Sequence, residues 1–492
     1  MKALKMLCFC FCGLAFCGPA HSHDLGRSKL SKPVAPHVHD SVQPLPEELQ
    51  RKLEDTGIIF VETAQTGVEL LGYVDASYTF SSRGGGSSSE SGQGENPITH
   101  EDSQDFNAYG LHLHLSKPLP GENTWAAGFT IGLQFGESHL HKHSHGHGHS
   151  HGHGHDEDSH ARGEFLSPLE EAYVEFRVPV GNGLDFGFGT WMTFFGYEPH
   201  NRPANNHVTH GVVRHFLEPF THTGIFARYP LSDQVTLRLG LTNGWDNADS
   251  SFFDGADFSK NILGSIEIVN AERNARLELG FSYSPDGEER FSKAGLGKFD
   301  FGHHHDEETF HEDGNVWAFN INGTWYPAAL RDRLMLGFNA TVVHTDDNLR
   351  ARVVEDHGHG DVELVTFRAR NTATMWGAAL YAKYQLTEEF SLAGRLEYLH
   401  ADDSTLGFHD GWVKKPKKKE ASLDKQGMLH TQTDLFSWTL TASYTPVESL
   451  LLRAEYRLDH ISASGGKDHD TLLGSGSNFD HSFSIYAAYL LW

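Results

Sequence analysis

The sequence predicts an all-β transmembrane antiparallel β-barrel of about 16 strands, with short turns at one end and long loops at the other. Three observations carry this. First, residues 165–246 alternate at period two: Glu171, Tyr173, Glu175 and Arg177 share one face, and Ala172, Val174, Phe176 and Val178 the other. Period-two alternation is the strand signal. Second, the pattern recurs down the chain, as in Val235, Leu237, Leu239 and Leu241 against Thr236, Arg238 and Gly240. Third, connections between such segments are alternately short and long, which with apolar-out, polar-in strands is the signature of a membrane barrel.

Composition narrows the class. The chain has 492 residues, with 51 glycines and 12% aromatic residues recurring at strand ends. No run of 18 apolar residues follows position 20, which excludes a helical membrane protein. A mean hydropathy of −0.44 is compatible with a barrel, whose lumen and loops are polar. The net charge of −26 makes nucleic acid an unsuitable partner.

In chain order, residues 1–20 read as a signal peptide: Lys2 and Lys5, an apolar Met6–Cys17 core, then Gly18, Pro19 and Ala20. All four cysteines (Cys8, Cys10, Cys12 and Cys17) lie within it, and export to a Gram-negative outer membrane is expected. Residues 21–65 are a periplasmic lead-in, too short for a plug domain, with a short helix expected at Pro46–Leu53. A mature His21-Ser22-His23 terminus would offer a copper- or nickel-chelating amine.

The barrel, residues 66–492, is expected to use strands near 71–80, 105–116, 123–136, 168–178, 184–195, 221–229, 234–245, 260–269 and 275–284. Its second half adds 315–326, 333–344, 373–386, 390–400, 435–445, 450–460 and 481–492. Boundaries read this way carry an error of about two to four residues, so 14 or 18 strands stay open. Short turns such as Pro230–Asp233 and Pro446–Ser449 form the periplasmic end. The long connections 81–104, 137–164, 196–220, 246–259, 285–314, 345–372, 401–434 and 461–480 form the outer end. The last strand closes on an aromatic, Trp492, which resembles the ending read by outer-membrane assembly machinery.

These stretches resemble the beta-barrel porin-2 (OmpL-like) family. The matching residues include Gly72–Tyr78, Glu171–Val174, Pro179–Leu184, Gly196–Glu198, Pro219–Gly224, Leu241–Asn247 and Leu451–Arg457. The resemblance implies an outer-membrane porin and nothing narrower about its solute. One departure is Gly189-Thr190-Trp191, where a lysine would follow the glycine.

Two sets of residues are candidates for function. If the third outer loop folds inward, Glu198, Arg202, Arg214 and Glu218 would face Glu171, Glu175, Arg228 and Arg238 across a constriction. Such facing charges favour small hydrated polar solutes. The alternative is a loop that caps the barrel from outside. The second set is histidine-rich. Loop 137–164 holds His139, His141, His143, His145, His147, His149, His151, His153, His155 and His160. His303, His304, His305 and His311 form a second cluster, and His357 and His359 a third. Imidazole suits Zn2+, Ni2+ or Cu2+, although alternating His-Gly fixes no single geometry. His112 and His114, on the lumen face, read as relay ligands or as ordinary polar lining.

Lys414–Lys419 is a basic run suited to lipopolysaccharide phosphates. No obligatory cofactor and no catalytic set is expected. Outer-membrane lipid and lipopolysaccharide are the expected partners, and a homotrimer stands as a candidate assembly. The function read from the sequence is passive diffusion of small solutes, with the loops binding zinc or a similar divalent transition metal and aiding its uptake. A general porin with incidental histidines, and a surface metal-buffering or adhesive protein without transport, are the alternatives.

Overall fold

The computed structural model describes residues 67–82, 105–121, 123–136, 169–245, 260–285, 308–330, 333–356, 362–401, 432–464 and 479–491. Sixteen antiparallel strands close into a barrel. They are β1 (Glu69–Ser81), β2 (Asp105–Lys117), β3 (Ala126–Phe135), β4 (Leu169–Val178), β5 (Leu184–Met192), β6 (Thr221–Pro230), β7 (Val235–Thr242) and β8 (Asn261–Val269). The second half comprises β9 (Ala275–Ser284), β10 (Glu308–Trp325), β11 (Leu334–Asp356), β12 (Val362–Gln385), β13 (Phe390–Ala401), β14 (Gln432–Val447), β15 (Leu450–Ser464) and β16 (Phe479–Leu491). Each strand pairs with its neighbours in sequence, and β1 closes on β16 from Gly72↔Leu491 to Ser81↔Ser482. Closure leaves no free sheet edge, which a barrel in lipid requires.

The alternation is realised as two chemically distinct faces. Along β1, Tyr73, Asp75, Ser77 and Thr79 are buried inward, while Val74 and Phe80 are exposed outward. Outward side chains elsewhere include Ile225, Leu239, Leu241, Ile266, Phe281, Phe319, Leu380, Leu396 and Ile485. So continuous an apolar exterior is stable only against an apolar medium. At the short-turn end, Asn182 donates to the carbonyls of Pro230 and Leu231. Asn270 accepts from the Asn274 and Ala275 N–H groups.

The strands depart from expectation at the long-loop end. Residues 345–372, expected as a loop, continue β11 and β12 as a paired ribbon from Thr345↔Ala373 to Asp356↔Val362. The β-branched run Val353-Val354 and the partners Val362, Leu364 and Val365 favour extended backbone, so the strand pairing continues through these residues. Conversely, β5 ends at Met192 rather than 195, because the chain turns inward there. The lead-in, the Pro46–Leu53 helix and the signal peptide lie outside the described residues.

The interior is not uniformly polar. Val316, Ala318, Val343, Met375, Leu399, Leu435 and Ile461, from β10 to β15, point inward and are fully buried. What covers them is the connection 193–220 between β5 and β6, here called L3. Its single helix, α1 (Val212–Leu217), places Val212, Val213 and Leu217 on that patch beside Phe195, Tyr197 and Trp245.

Candidate pore constriction

L3 lies inside the barrel, and the inward residues of β10–β15 hold it there. Glu198 sits near its start and is 5% exposed. Its carboxylate accepts from the Gly211 N–H at 2.9 Å, the Tyr381 hydroxyl at 3.1 Å and Arg395 Nη1 at 3.1 Å. His210 Nδ1 adds a contact at 3.2 Å. Glu455, from β15, takes the N–H groups of Val208 (2.6 Å) and Thr209 (3.0 Å) and the hydroxyls of Thr209 and Thr441. Arg453 donates to the carbonyls of Arg202, Pro203 and Asn205, and Arg457 to that of His210. The wall thus satisfies the backbone of a buried loop, which would otherwise carry unpaired polar groups.

The same logic starts α1. Gly211 precedes it and offers no capping side chain; instead Glu198 takes the Gly211 N–H and Glu397 takes the Val213 N–H at 3.3 Å. Carboxylates at these exposed donors suit the positive end of a helix. A side chain at 211 would press on both carboxylates and disturb the contacts they make with the loop N–H groups. At the other end Glu218 accepts from Asn339 (2.7 Å), Thr341 (3.0 Å) and Asn320 (3.4 Å). Gly196, at φ +108°, packs against that carboxyl where a Cβ could not fit.

Burial sets the titration of these loop groups. It would raise Glu198, but the Arg395 guanidinium, His210 and the Gly211 N–H hold that carboxyl well below the usual range. Burial pushes Glu218 up to about 7, against the pull of Arg214, Asn339 and Thr341. His210 is pushed down to about 4 by burial, against the pull of Glu198. His207, beside Thr441 at 2.7 Å, is held well below the usual imidazole range by burial and then by Arg395.

The other wall is built differently. Asp185 joins Arg177 at 2.6 Å and Arg228 at 2.9 Å. Arg238 reaches Glu267 at 2.6 Å and Glu278 at 3.1 Å, and Arg276 pairs with Glu278 as well. Beside them Tyr173, Glu175, Trp191, Met192, Phe194, Phe226, Arg228 and Arg238 line a small cavity. Glu171 contacts His114 Nε2 at 3.2 Å.

The charges expected to face one another across the constriction have the following partners in the structure. Glu198 and Glu218 are engaged by the β10–β15 wall, and Arg228 and Arg238 by carboxylates of their own wall. The reason is competition: a buried carboxylate takes the nearest donors that burial also deprives of water. Arg214 donates to the Pro219 carbonyl and lies over the Phe220 ring at 4.4 Å, 4.0 Å from Glu218. Arg202 is buried and acts electrostatically on Asp75. The anchors Arg395, Glu397, Arg453, Glu455 and Arg457 were not singled out from the sequence. Their signal was present, since Arg453, Glu455, Arg457 and Asp459 are four successive inward charges of alternating sign.

A sequence model of the family described as "Putative beta-barrel porin-2, OmpL-like" matches residues 67–489. The chain belongs to that family. It is accordingly an outer-membrane porin. Solved structures of similar fold include the outer membrane channel DcaP of Acinetobacter baumannii, 12% identical over 86% of this chain and 97% of that one, with a TM-score of 0.46. Pseudomonas putida OprB is 11% identical over 89% and 97%, with a TM-score of 0.48. The anion-selective porin from Comamonas acidovorans is 9% identical over 86% and 99%, at 0.45. No curated protein sequence matches the chain.

The histidines at 139–160, 303–305, 357 and 359 lie outside the described residues; His311 is on β10, in register with Leu349. Among the described residues, no three histidine, cysteine or carboxylate groups close around a point as a preformed metal site.

Proposed function

We propose that this porin conducts small polar solutes passively through a lumen narrowed by L3, and that its histidine-rich outer loops bind Zn2+ or a similar ion at the mouth. The observation that supports the first part is the seat of L3. Its backbone is held to the wall by Arg395, Arg453, Glu455 and Arg457, so it stays in the lumen as a fixed narrowing. Glu198, Arg202, Arg214 and Glu218 act from inside this narrowing by fixing its shape. Glu171, Glu175, Arg228 and Arg238 supply its charged side. The second part rests on sequence: three histidine–acid clusters fall on outer connections of one end. Cleavage after residue 20 and assembly as a homotrimer belong to the same proposal, checked by mass spectrometry of the mature protein in detergent.

The test is single-channel conductance of the refolded protein in a planar bilayer, with zinc titrated on the loop side. A variant lacking residues 139–160 is run in parallel. Stepwise openings with a zinc effect in the intact chain beyond any that remains without residues 139–160 support both parts. Openings indifferent to zinc leave an ordinary porin, and no openings in either chain favour a surface protein without transport. Loop binding should also weaken below about pH 6.5, where free imidazole protonates. Zinc retention unchanged at pH 5 would count against histidine ligation.

A further inference from the structure

Away from the L3 anchors, the inner faces of β1, β2 and β4 meet the start of L3 in a row of imidazoles and carboxylates. Tyr73 and His112 are cross-strand partners, and the two rings stack at 4.1 Å and 13°, which fixes the plane of the imidazole. His112 Nε2 then faces Asp75 Oδ1 at 3.7 Å. Its Nδ1 lies 4.0 Å from Glu170 Oε2, and Glu170 Oε1 continues to His200 Nε2 at 3.2 Å. Asp75 is 2% and His112 8% exposed. Yet Asp75 Oδ1, His112 Nε2 and His200 Nδ1 have no hydrogen-bond partner among the protein's own groups.

Buried oxygen and nitrogen acceptors left this way are costly and call for an explanation. A separation of 3.7 Å is too long for a hydrogen bond between the two atoms. It does suit a cation held about 2.0–2.2 Å from each, with an open angle between the ligands. One imidazole and one carboxylate select borderline divalent ions such as Zn2+, Co2+ or Ni2+.

We propose that His112 and Asp75 form a divalent transition-metal station inside the lumen, with the Glu170–His200 pair as its next neighbour. The station supplies two protein ligands, Asp75 Oδ1 and His112 Nε2. A shell with only two protein ligands keeps binding weak enough for release, which conduction requires. Its use in transit rests on the channel reading; metal binding at His112 and Asp75 does not. Arg202, whose guanidinium acts on Asp75, opposes the cation and sets the affinity low.

The test combines two readouts on the full chain and on the chain lacking residues 139–160. In planar bilayers, Zn2+ at a lumen site blocks current in a voltage-dependent manner, because the ion enters part of the membrane field. Binding to outer loops lies outside that field. The voltage-dependent block should survive loop deletion, and His112→Ala and Asp75→Asn should each weaken it at least ~10-fold. Arg202→Gln should strengthen it. In detergent, Co2+ absorption titrated with the same variants should rank them in the same order. Block and cobalt affinity that are the same in wild type, His112→Ala and Asp75→Asn would overturn the station. A protein that never conducts but keeps His112-dependent cobalt binding would remove the channel reading and leave the site standing.

Discussion

The two walls of this barrel use similar residues for opposite ends. In β10–β15 the inward charges reach off the wall: Arg395, Arg453, Glu455 and Arg457 bind the backbone or side chains of L3. In β4–β9 they close on one another, Asp185 with Arg177 and Arg228, Arg238 with Glu267 and Glu278. The difference follows from the neighbouring surface. The first wall carries an inward apolar patch that must be covered, and the loop that covers it brings unpaired backbone. On the second wall the charges find opposite charges on adjacent strands and neutralise each other there. Position along the barrel, rather than residue type, decides whether an inward charge is an anchor or a lining.

Removing an anchor should have the largest effect. Arg395 is completely buried between Glu198 and Glu397. Arg395→Met leaves both carboxylates without their counter-charge, a change of about 3–5 kcal/mol. L3 should leave its seat, seen as higher single-channel conductance and new protease cleavage between residues 193 and 220. Unchanged conductance would mean that the wall does not hold the loop. Leu217→Ala tests the apolar half of the same seat. It opens a cavity under α1 and should weaken docking by about 2–5 kcal/mol, with a smaller and noisier rise in conductance.

The two walls also differ in how far the sequence revealed them. All sixteen strands were legible, because alternation at period two is a local property and each turn carries its own signal. The lining pairs of the second wall lie nearer in sequence, from 8 positions apart for Arg177 and Asp185 to 43 for Arg228 and Asp185. The anchors were not legible in the same way. Glu198 and Arg395 are 197 positions apart, and Val208 and Glu455 are 247 apart. The alternating inward charges Arg453, Glu455, Arg457 and Asp459 mark an unusual strand but do not name its distant partners on L3. A weaker sign did exist in the inward Val316, Val343, Leu399, Leu435 and Ile461. Apolar side chains on the lumen face of several successive strands require something inside to cover them.

A third prediction concerns pH. Glu218 rises to about 7 from the ordinary carboxylate value of 4.5 when L3 is docked. The docked loop therefore favours the protonated acid. This contribution is fully present below about 4.5 and is lost as pH rises through 7, at most about 3 kcal/mol. His210 works against it: its docked value is near 4, so its contribution is present above the ordinary 6.5 and lost as pH falls. Glu218→Gln removes only the first effect. Hydrogen exchange across residues 196–218 in the wild type should quicken between pH 6 and 8, beyond the intrinsic rise in exchange rate. In Glu218→Gln that excess should vanish; an excess as large as in the wild type would mean that Glu218 does not govern docking.

The smallest effect should come from the lining wall. Arg228→Gln leaves Asp185 its closer partner, Arg177, and the position is partly exposed, so stability should fall by about 1 kcal/mol or less. No element of L3 hangs from this side chain in the way that it hangs from Arg395. The loop should therefore keep its protease protection and the channel its conductance. What changes is the charge beside the open lumen, which becomes one unit more negative. The reversal potential in a salt gradient should shift toward cation preference. If Arg228→Gln instead released L3, or left the reversal potential where it was, the division between an anchoring wall and a lining wall would be wrong.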